Sequence, residues 1–319
     1  MSLKKKSRCK DRIQNILDIY DSGRPLFPRS LLQDLDNQIA KGCKKIYIED
    51  YDGQRREFDF TPSSRCRDEI NGSCIRYNCI QSLTNLSPVA RLDANQPPVS
   101  ICHTHHYGQP KDSIAEIAAG YRDQCEVWRK SETYQSLKRG LMELKCSTAT
   151  SIDKVVCFGL GSLGRLDNCS SIRSHTQHAA VETMVQVFGA GVKCYAQEPV
   201  YDDIDKKFLT SIGITPLDDP KGFLEVESKT LVFSVNPNIP VKQIVADGEW
   251  PAGMVWNTVE ADEEATEWKK EHFDGDEIWV SPYTTDPDSS RVRSMVEGYQ
   301  QAALHDVDDY FGDLTIYMR

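Results

Sequence analysis

The fold is decided by the stretch Lys154-Val-Val-Cys-Phe-Gly-Leu-Gly-Ser-Leu-Gly164, which runs from a strand into a glycine-rich turn. The apolar run 155–158 predicts a buried strand, and the turn Gly159-x-Gly161-x-x-Gly164 follows it directly. A helical pattern begins near His175. This order of strand, glycine turn and helix points backbone N–H groups at an anionic or carbonyl-bearing ligand. The glycines do not identify that ligand, because dinucleotide, methyl-donor and acyl-transfer sites all use such turns.

Strands and helices alternate regularly after the glycine turn. The predicted strands span 155–158, 192–196, 231–235, 254–257 and 278–280. The predicted helices span 177–188, 203–212, 241–247, 262–272 and 290–304. This alternation predicts an α/β fold with a Rossmann-like, doubly wound and mainly parallel sheet. Ligands of such sheets bind at the carboxyl ends of the strands, near the point where the strand order reverses.

The chain before the turn has a different pattern. Two amphipathic helices are predicted near 11–21 and 31–39, followed by a hairpin that turns at Asp52-Gly53 and by short strands near 75–80 and 99–103. A long helical region, with a break near Ser131, braces the sheet. We therefore divide the chain into an α+β segment at 1–110, a bracing helix and linker at 111–150, and the Rossmann-like domain at 151–319.

Composition restricts the function. The formal net charge of −10 argues against a broad nucleic-acid-coating surface, although the first thirty residues are strongly basic. The eleven cysteines are scattered and contain no C-x-x-C pair, which indicates reduced thiols in a cytosolic or nuclear setting, and we expect a cytoplasmic protein. No apolar run reaches the roughly 18–20 residues of a membrane helix, and no apolar signal core follows the basic N-terminus.

A cluster of potential metal ligands occurs at Cys102-His103-Thr104-His105-His106. Thiol and imidazole groups bind zinc, but adjacent residues are poor tetrahedral ligands for one ion, and no second cluster completes a site. We interpret this stretch as a polar loop and predict neither a metal nor a cofactor.

Ser162 is the unusual residue of the glycine turn. A hydroxyl between a buried strand and a helix is exposed at the edge of the sheet, where backbone amides can stabilise an oxyanion. His178 lies one turn into the following helix and could face the same edge. The pattern is not the G-x-S-x-G elbow of hydrolases, and no triad can be assembled. Ser162 as a turn residue and His178 as a structural residue are the open alternatives.

Two other types of site fit the glycine turn without using Ser162. A dinucleotide enzyme requires an acidic residue at the end of the second strand, and Glu198 stands there. The loop 165–174, however, is longer than that fingerprint allows. A methyl-donor site fits similarly, since it also combines a glycine turn with an acidic strand end.

Three motifs resemble the sensitivity-to-red-light-reduced (SRR-type) domain family. They are the run 155–163, Gln177-His178-Ala179 and Tyr195-x-Gln-Glu-Pro-x-Tyr201. The fungal branch is the most similar, including Pro25-Leu26-Phe27 and Trp256-Asn257. The resemblance covers about 154–260 well and the N-terminal half loosely. It implies the Rossmann-like fold but no single chemistry, because the family is known mainly through regulatory phenotypes.

Some fungal proteins of this kind resemble arginine-containing cyclodipeptide synthases, and that resemblance implies a reaction. Ser162, with His178 beside it, would take an aminoacyl group from arginyl-tRNA, and a second aminoacyl-tRNA would attack the acyl-enzyme. This reaction requires no cofactor, no DNA and no membrane. The guanidinium group would require carboxylates. The expected substrate-binding residues are Gly159, Gly161, Glu198, Tyr201, Asp202, Asp203, Asp205, Asn236 and Asn257.

The alternatives stay open at this point. The aspartates at 202–205 can equally be an ordinary acidic helix N-terminus. The whole chain can be a non-enzymatic SRR-type regulatory protein, and a nucleotide- or methyl-donor-dependent Rossmann enzyme is the third possibility.

Overall fold

A seven-stranded sheet organises the chain. The computed structural model describes residues 3–60, 69–89, 96–107, 112–148, 151–164, 169–189, 191–261, 266–273 and 276–319. The helices are α1 (Leu3–Asp21), α2 (Arg29–Ala40), α3 (Ile80–Thr84), α4 (Ile114–Lys130), α5 (Glu132–Ser147), α6 (Cys169–Phe188), α7 (Asp203–Ser211), α8 (Lys221–Leu224), α9 (Val241–Ala246) and α10 (Ser290–Val296). The strands are β1 (Lys45–Glu49), β2 (Arg55–Asp59), β3 (Glu69–Tyr77), β4 (Val99–Tyr107), β5 (Lys154–Phe158), β6 (Lys193–Gln197), β7 (Ile214–Leu217), β8 (Thr230–Ser234), β9 (Gly253–Asn257), β10 (Lys269–Phe273), β11 (Asp276–Val280), β12 (Gln300–Leu304) and β13 (Leu314–Met318).

The order of the strands places the glycine turn at the centre of the sheet. The order is β12-β13-β9-β8-β5-β6-β7, in which β5 to β9 are parallel and β13 is antiparallel to both of its neighbours. The chain moves outward from β5 to β7 and then returns to β8 on the other side of β5. This reversal is the topological switch point of a doubly wound sheet, so the Rossmann-like α/β fold is confirmed.

The central strands are apolar along their whole length because both faces of the sheet are covered. Val155 and Cys157 point into one core, which α4, α5, α6 and α7 complete. Val156 and Phe158 point into a second core, which the N-terminal segment, α9 and α10 complete. Alternate residues of β5 therefore belong to different layers.

An arginine fixes the N-terminal segment to the second face, in an arrangement that we call the Arg291 clasp. The Asp247 carboxylate accepts the backbone N–H groups of Leu26 and Phe27 through Oδ2, at 2.6 and 3.0 Å. Its Oδ1 lies 2.5 Å from Arg291 Nη1. Arg291 also donates to the carbonyl oxygens of Tyr20 and Arg24, and its guanidinium carbon lies 3.8 Å from the centre of the Tyr20 ring. The segment before α2 is thereby tied to α9 and α10.

Most of the predicted elements are confirmed. Four predicted strands are β5, β6, β8 and β9, and the hairpin at Asp52-Gly53 joins β1 to β2. The predicted break in the long helix falls at Ser131, whose hydroxyl accepts the N–H of Tyr134 at 3.0 Å and so caps α5.

Three predictions near the C-terminus are wrong. The helix predicted over 290–304 ends at Val296, and 300–304 form the edge strand β12. The strand at 278–280 belongs to the separate hairpin β10–β11 and not to the main sheet. Strand β10 of that hairpin begins at Lys269 and so replaces the end of the helix predicted over 262–272. Residues 262–265 of that predicted helix lie outside the described residues. In the first and third cases, pairing between strands overrides local helical propensity.

Two further predictions are corrected. The stretch from Cys102 to His106 lies in β4, paired with β3, and is not a loop. Strand β7 was not predicted at all. It has four residues and contains Pro216, which is compatible with its place at the edge of the sheet.

Candidate functional site

The glycine turn has a backbone conformation in which residues other than glycine would be strained. Gly159 and Gly161 have φ values of 73° and 74°, in the left-handed region. A Cβ at Gly159 would lie 3.3 Å from Pro237 Cβ, so Pro237, in the loop after β8, closely approaches the turn. Gly159 is therefore required both by its conformation and by the packing of Pro237 at the switch point.

Side chains from the start of α6 hold the carbonyl oxygens of the turn. Ser174 Oγ donates to the Gly161 oxygen at 2.9 Å, and Ser171 Oγ donates to the Gly164 oxygen at 2.7 Å. His175 Nε2 donates to the Leu163 oxygen at 2.7 Å. Three side chains of one helix thus hold the carbonyl oxygens of the turn in place.

Protein oxygens also hold most of the N–H groups of the turn. Glu198 Oε2 accepts from Gly161 N at 3.0 Å, and Asp205 Oδ1 accepts from Leu163 N at 3.0 Å. Gly164 N donates to Ser162 Oγ at 3.2 Å. These carboxylates and this hydroxyl stand where a phosphate would be expected. The turn consequently differs from a phosphate cradle, whose N–H groups face the ligand.

Ser162 and Asp205 form a hydroxyl–carboxylate pair at this edge. The Ser162 hydroxyl donates to Asp205 Oδ2 at 2.8 Å. Asp205 is 1 % exposed and belongs to the capping box of α7, in which it accepts the N–H of Asp202. A carboxylate that accepts the hydrogen of a hydroxyl can take up that proton when the oxygen attacks an electrophile.

The other predicted acidic residues have different roles. Asp202 is the N-cap of α7 and accepts the N–H groups of Ile204 and Asp205, at 2.7 and 2.9 Å. Asp203 is exposed in the first turn of the same helix. Glu198 binds Gly161 N through one oxygen and Val200 N through the other, and burial raises the pKa of its carboxyl group. Asp203 is thus the most accessible carboxylate of the set.

His178 is a buried bracing residue. Its Nδ1 donates to the Ser174 carbonyl oxygen at 2.7 Å, so Nε2 accepts the hydrogen of the Tyr201 hydroxyl at 2.7 Å. Burial lowers the pKa of His178 to about 4, and the ring is neutral. Among the described residues no hydrogen bond joins His178 to Ser162. Tyr201 is itself buried, and the pair connects α6 to the loop before α7.

Asn236 and Asn257 join the ends of two strands at the same edge. Asn236 N donates to Asn257 Oδ1 at 2.9 Å, and Asn257 Nδ2 donates to Asn236 Oδ1 at 2.8 Å. Asn236 has a φ of 44°, a conformation that asparagine tolerates better than most residues. This reciprocal pair shapes the edge beside the glycine turn.

One further carboxylate near the turn, that of Asp219, was not predicted. Asp219 Oδ1 accepts hydrogen bonds from the Tyr77 hydroxyl at 2.7 Å and from Gln197 Nε2 at 3.0 Å. Burial raises the pKa of Asp219 to about 7. The Gln197 carbonyl oxygen accepts the N–H of Gly159, so one residue separates Asp219 from the turn. Asp219 lies just after β7. Because β7 was not predicted from the sequence, the position of Asp219 at the edge of the sheet was not predicted either.

The described parts of the chain contain neither a metal-binding cluster nor a membrane-spanning helix. These residues contain no group of three or more His, Cys, Asp or Glu side chains that could hold a metal ion. The side chains of His103, His105 and His106 lie outside the described residues. None of the described helices is long and apolar enough to cross a membrane.

Comparison with known proteins gives one family. The model of the SRR1 domain matches residues 134–318, which is more than half of the chain. No curated protein matches the sequence. Among solved structures, the chain is similar to 1,6-didemethyltoxoflavin-N1-methyltransferase of Burkholderia thailandensis, crystallised with 1,6-didemethyltoxoflavin and S-adenosylhomocysteine. That similarity has 11 % sequence identity and a TM-score of 0.32, and it covers 68 % of this chain and 94 % of the other.

Proposed function

The chain belongs to the SRR1 domain family, and we propose that this member is an acyltransferase whose nucleophile is Ser162. The more specific form of the proposal is a cyclodipeptide synthase that takes arginine from arginyl-tRNA and joins it to a second amino acid. The hydrogen bond from Ser162 to Asp205 is the observation on which the proposal depends.

Three properties of the pair support this assignment. The hydroxyl lies at the carboxyl end of the central strand, which is where doubly wound sheets bind ligands. The hydrogen bond directs the proton of Ser162 toward a carboxylate that is already fixed by the Leu163 and Asp202 N–H groups. Hydrogen bonds from α6 hold the turn, which restricts the positions that the Ser162 oxygen can adopt before a substrate binds.

The reaction balances without a metal or a cofactor. Ser162 Oγ attacks the ester carbonyl carbon of the first aminoacyl-tRNA, its proton passes to Asp205, and the tRNA hydroxyl leaves with a proton. The amine of the second aminoacyl-tRNA then attacks the seryl ester and releases Ser162. In the last step the free amine of the dipeptidyl-tRNA attacks its own ester bond, which closes the ring and releases the second tRNA.

Asp203 is the carboxylate that we assign to the arginine side chain. Glu198, Asp202 and Asp205 each already accept hydrogen bonds from backbone N–H groups, as described above. Asp203 is exposed on the first turn of α7, the helix that also carries Asp205. A guanidinium group pairs well with such a carboxylate.

The second candidate function is a non-enzymatic regulatory protein. The observation in its favour is that the carbonyl and N–H groups of the glycine turn are largely bonded within the chain, as a purely structural turn requires. The same bonds count against a dinucleotide or methyl-donor site, because both Glu198 oxygens already hold backbone N–H groups.

Expression in a bacterium separates these candidates. We expect arginine-containing cyclic dipeptides in extracts from cells that make the intact chain, detected by mass spectrometry. Ser162→Ala should abolish the product, whereas Ser294→Ala, an exposed serine of α10, should not. Circular dichroism would show that both variants are folded. Soluble wild-type protein without product, or an unchanged yield from Ser162→Ala, would reject the proposal.

A further inference from the structure

The hairpin of β3 and β4 brings two cysteines together. Cys74 and Cys102 are direct partners in the antiparallel ladder, and their Sγ atoms lie 2.8 Å apart. Residues directly opposite in such a ladder have Cα atoms about 4.5–5.5 Å apart, which lies within the range that a disulfide requires. The register continues on both sides of the pair, through Gly72 opposite Thr104 and Arg76 opposite Ser100. The two thiols are therefore held in place by a regular ladder.

We propose that Cys74 and Cys102 are a redox modification site, at which hydrogen peroxide converts the two thiols into a reversible disulfide. One sulfur attacks a peroxide oxygen and becomes a sulfenic acid, and water leaves. The second sulfur then attacks the sulfenic sulfur, a second water leaves, and the disulfide forms. The two thiols lose two electrons and two protons, and hydrogen peroxide gains both to give two water molecules.

Other cysteines of the described chain are less suited to this reaction. Cys157 and Cys194 lie on neighbouring strands, but they are 0 % and 6 % exposed, and Cys194 is paired with Val155 instead. Cys146 is exposed, and it lies at the end of α5. Cys74 and Cys102 are half-buried, so a small peroxide can reach them while the ladder keeps the second sulfur next to the first.

The protonation of Cys74 affects how fast this sulfur reacts. Burial, together with the contact to Cys102, raises the pKa of Cys74 to about 12. The thiolate is the reactive form, so attack by the Cys74 sulfur is slow at neutral pH and accelerates as the pH rises. Once the first sulfur is oxidised, the neighbouring thiol captures it within the hairpin, and a stable sulfenic acid should not accumulate.

The disulfide would affect the edge of the sheet that carries the glycine turn. Tyr77 lies on the same strand as Cys74 and donates its hydroxyl hydrogen to Asp219. A bond between β3 and β4 would restrict the strand that holds this hydrogen bond. The site is independent of the acyltransferase proposal, because neither sulfur contacts Ser162 in the described structure.

Peptide mapping tests the proposal on the full-length protein. The reduced chain is exposed to hydrogen peroxide, remaining thiols are alkylated, and the digest is analysed by mass spectrometry without reduction. We expect a peptide that links Cys74 to Cys102 and that disappears after treatment with dithiothreitol. Cys146→Ser should leave this linkage unchanged, and Cys74→Ser should remove it.

The outcomes are distinguishable even if a variant fails to fold, because the wild-type protein alone gives the principal result. Circular dichroism before and after oxidation establishes that the linkage forms in the folded chain. The proposal would be overturned if Cys74 and Cys102 were still reduced, and therefore alkylated, in protein in which peroxide had already oxidised Cys146. A linkage that forms only after denaturation would also overturn it.

Discussion

Ser162 Oγ lies 2.8 Å from Asp205 Oδ2, and the other oxygen of the same carboxylate holds the N–H of Leu163. Asp205→Asn keeps an acceptor for Leu163 but removes the group that would take the proton of Ser162. We expect the rate of product formation to fall by about 10²–10⁴-fold, the usual range for a lost general base. Single-turnover assays with arginyl-tRNA measure this rate. Thr210→Ala, at an exposed position of the same helix, is the matched control, and an equal loss in both variants would contradict the role of Asp205.

His178 should make the folded state sensitive to acid. The pKa of this buried ring is lowered to about 4, whereas a histidine in the unfolded chain titrates near 6.5. The unfolded state therefore binds more protons between these values, and the free energy of unfolding should fall as the pH drops from about 6.5 to 4. His178→Gln lacks the titrating group and should show a flatter dependence in urea denaturation over this range. A slope equal to that of the wild type would show that His178 does not titrate in this way.

Asp219 should act in the opposite direction. Burial raises the pKa of its carboxyl group to about 7, above the ordinary value of 3.8, so the folded state binds the proton more tightly than the unfolded chain. Stability from this group is present at low pH and is lost as the pH rises from about 4 to 7. Asp219→Asn still accepts hydrogen bonds from Tyr77 and Gln197 but carries no charge. We expect its stability relative to the wild type to increase across this interval and to level off above it.

Denaturant titrations between pH 4 and 8 measure the Asp219 effect. Asp218→Asn is the control, because Asp218 is the exposed neighbour and its carboxylate forms a surface ion pair with Lys206. The prediction fails if the difference between Asp219→Asn and the wild type does not change with pH. Combining Asp219→Asn with His178→Gln would separate the two opposing slopes.

Gly159 should be far more sensitive to substitution than a glycine in open space. Gly159→Ala places a Cβ 3.3 Å from Pro237, at a φ of 73°, so it adds a packing conflict to the backbone strain. Gly213→Ala meets nothing within 4 Å at a φ of 85° and carries the strain alone. We expect roughly 1–2 kcal/mol of destabilisation for Gly213→Ala and about 1–3 kcal/mol more for Gly159→Ala. Equal losses in thermal or urea unfolding would show that Pro237 moves aside.

The central part of the fold could be predicted because its sequence pattern and its burial agree. Residues 155–158 form a continuous apolar run, since β5 is covered on both faces. The edge strands lacked this agreement. Gln300-Gln-Ala-Ala-Leu304 has the composition of a helix, and it becomes a strand only by pairing with β13.

The contacts of the candidate site were less predictable than its position. Ser162 was placed at the edge of the sheet from local sequence, but Asp205 is 43 residues away and meets it only because α7 begins beside the turn. The partner of His178, Tyr201, depends on the same approach of α6 and the β6–α7 loop. Hydrogen bonds of this kind are set by tertiary packing, and no local pattern encodes them.

The Arg291 clasp joins residues inside the range matched by the SRR1 domain model to residues that precede it. The family match covers 134–318 and includes Asp247 and Arg291, whereas their backbone partners, at Tyr20, Arg24, Leu26 and Phe27, all precede it. Leu26 and Phe27 are also buried in the core that contains Val156 and Trp256. A gene fragment cut at the match would expose this apolar surface to water and leave the buried Asp247 without two of its donors. The residues matched by the family model therefore do not include all of those that complete this core, and a fragment designed to fold should also carry the N-terminal residues.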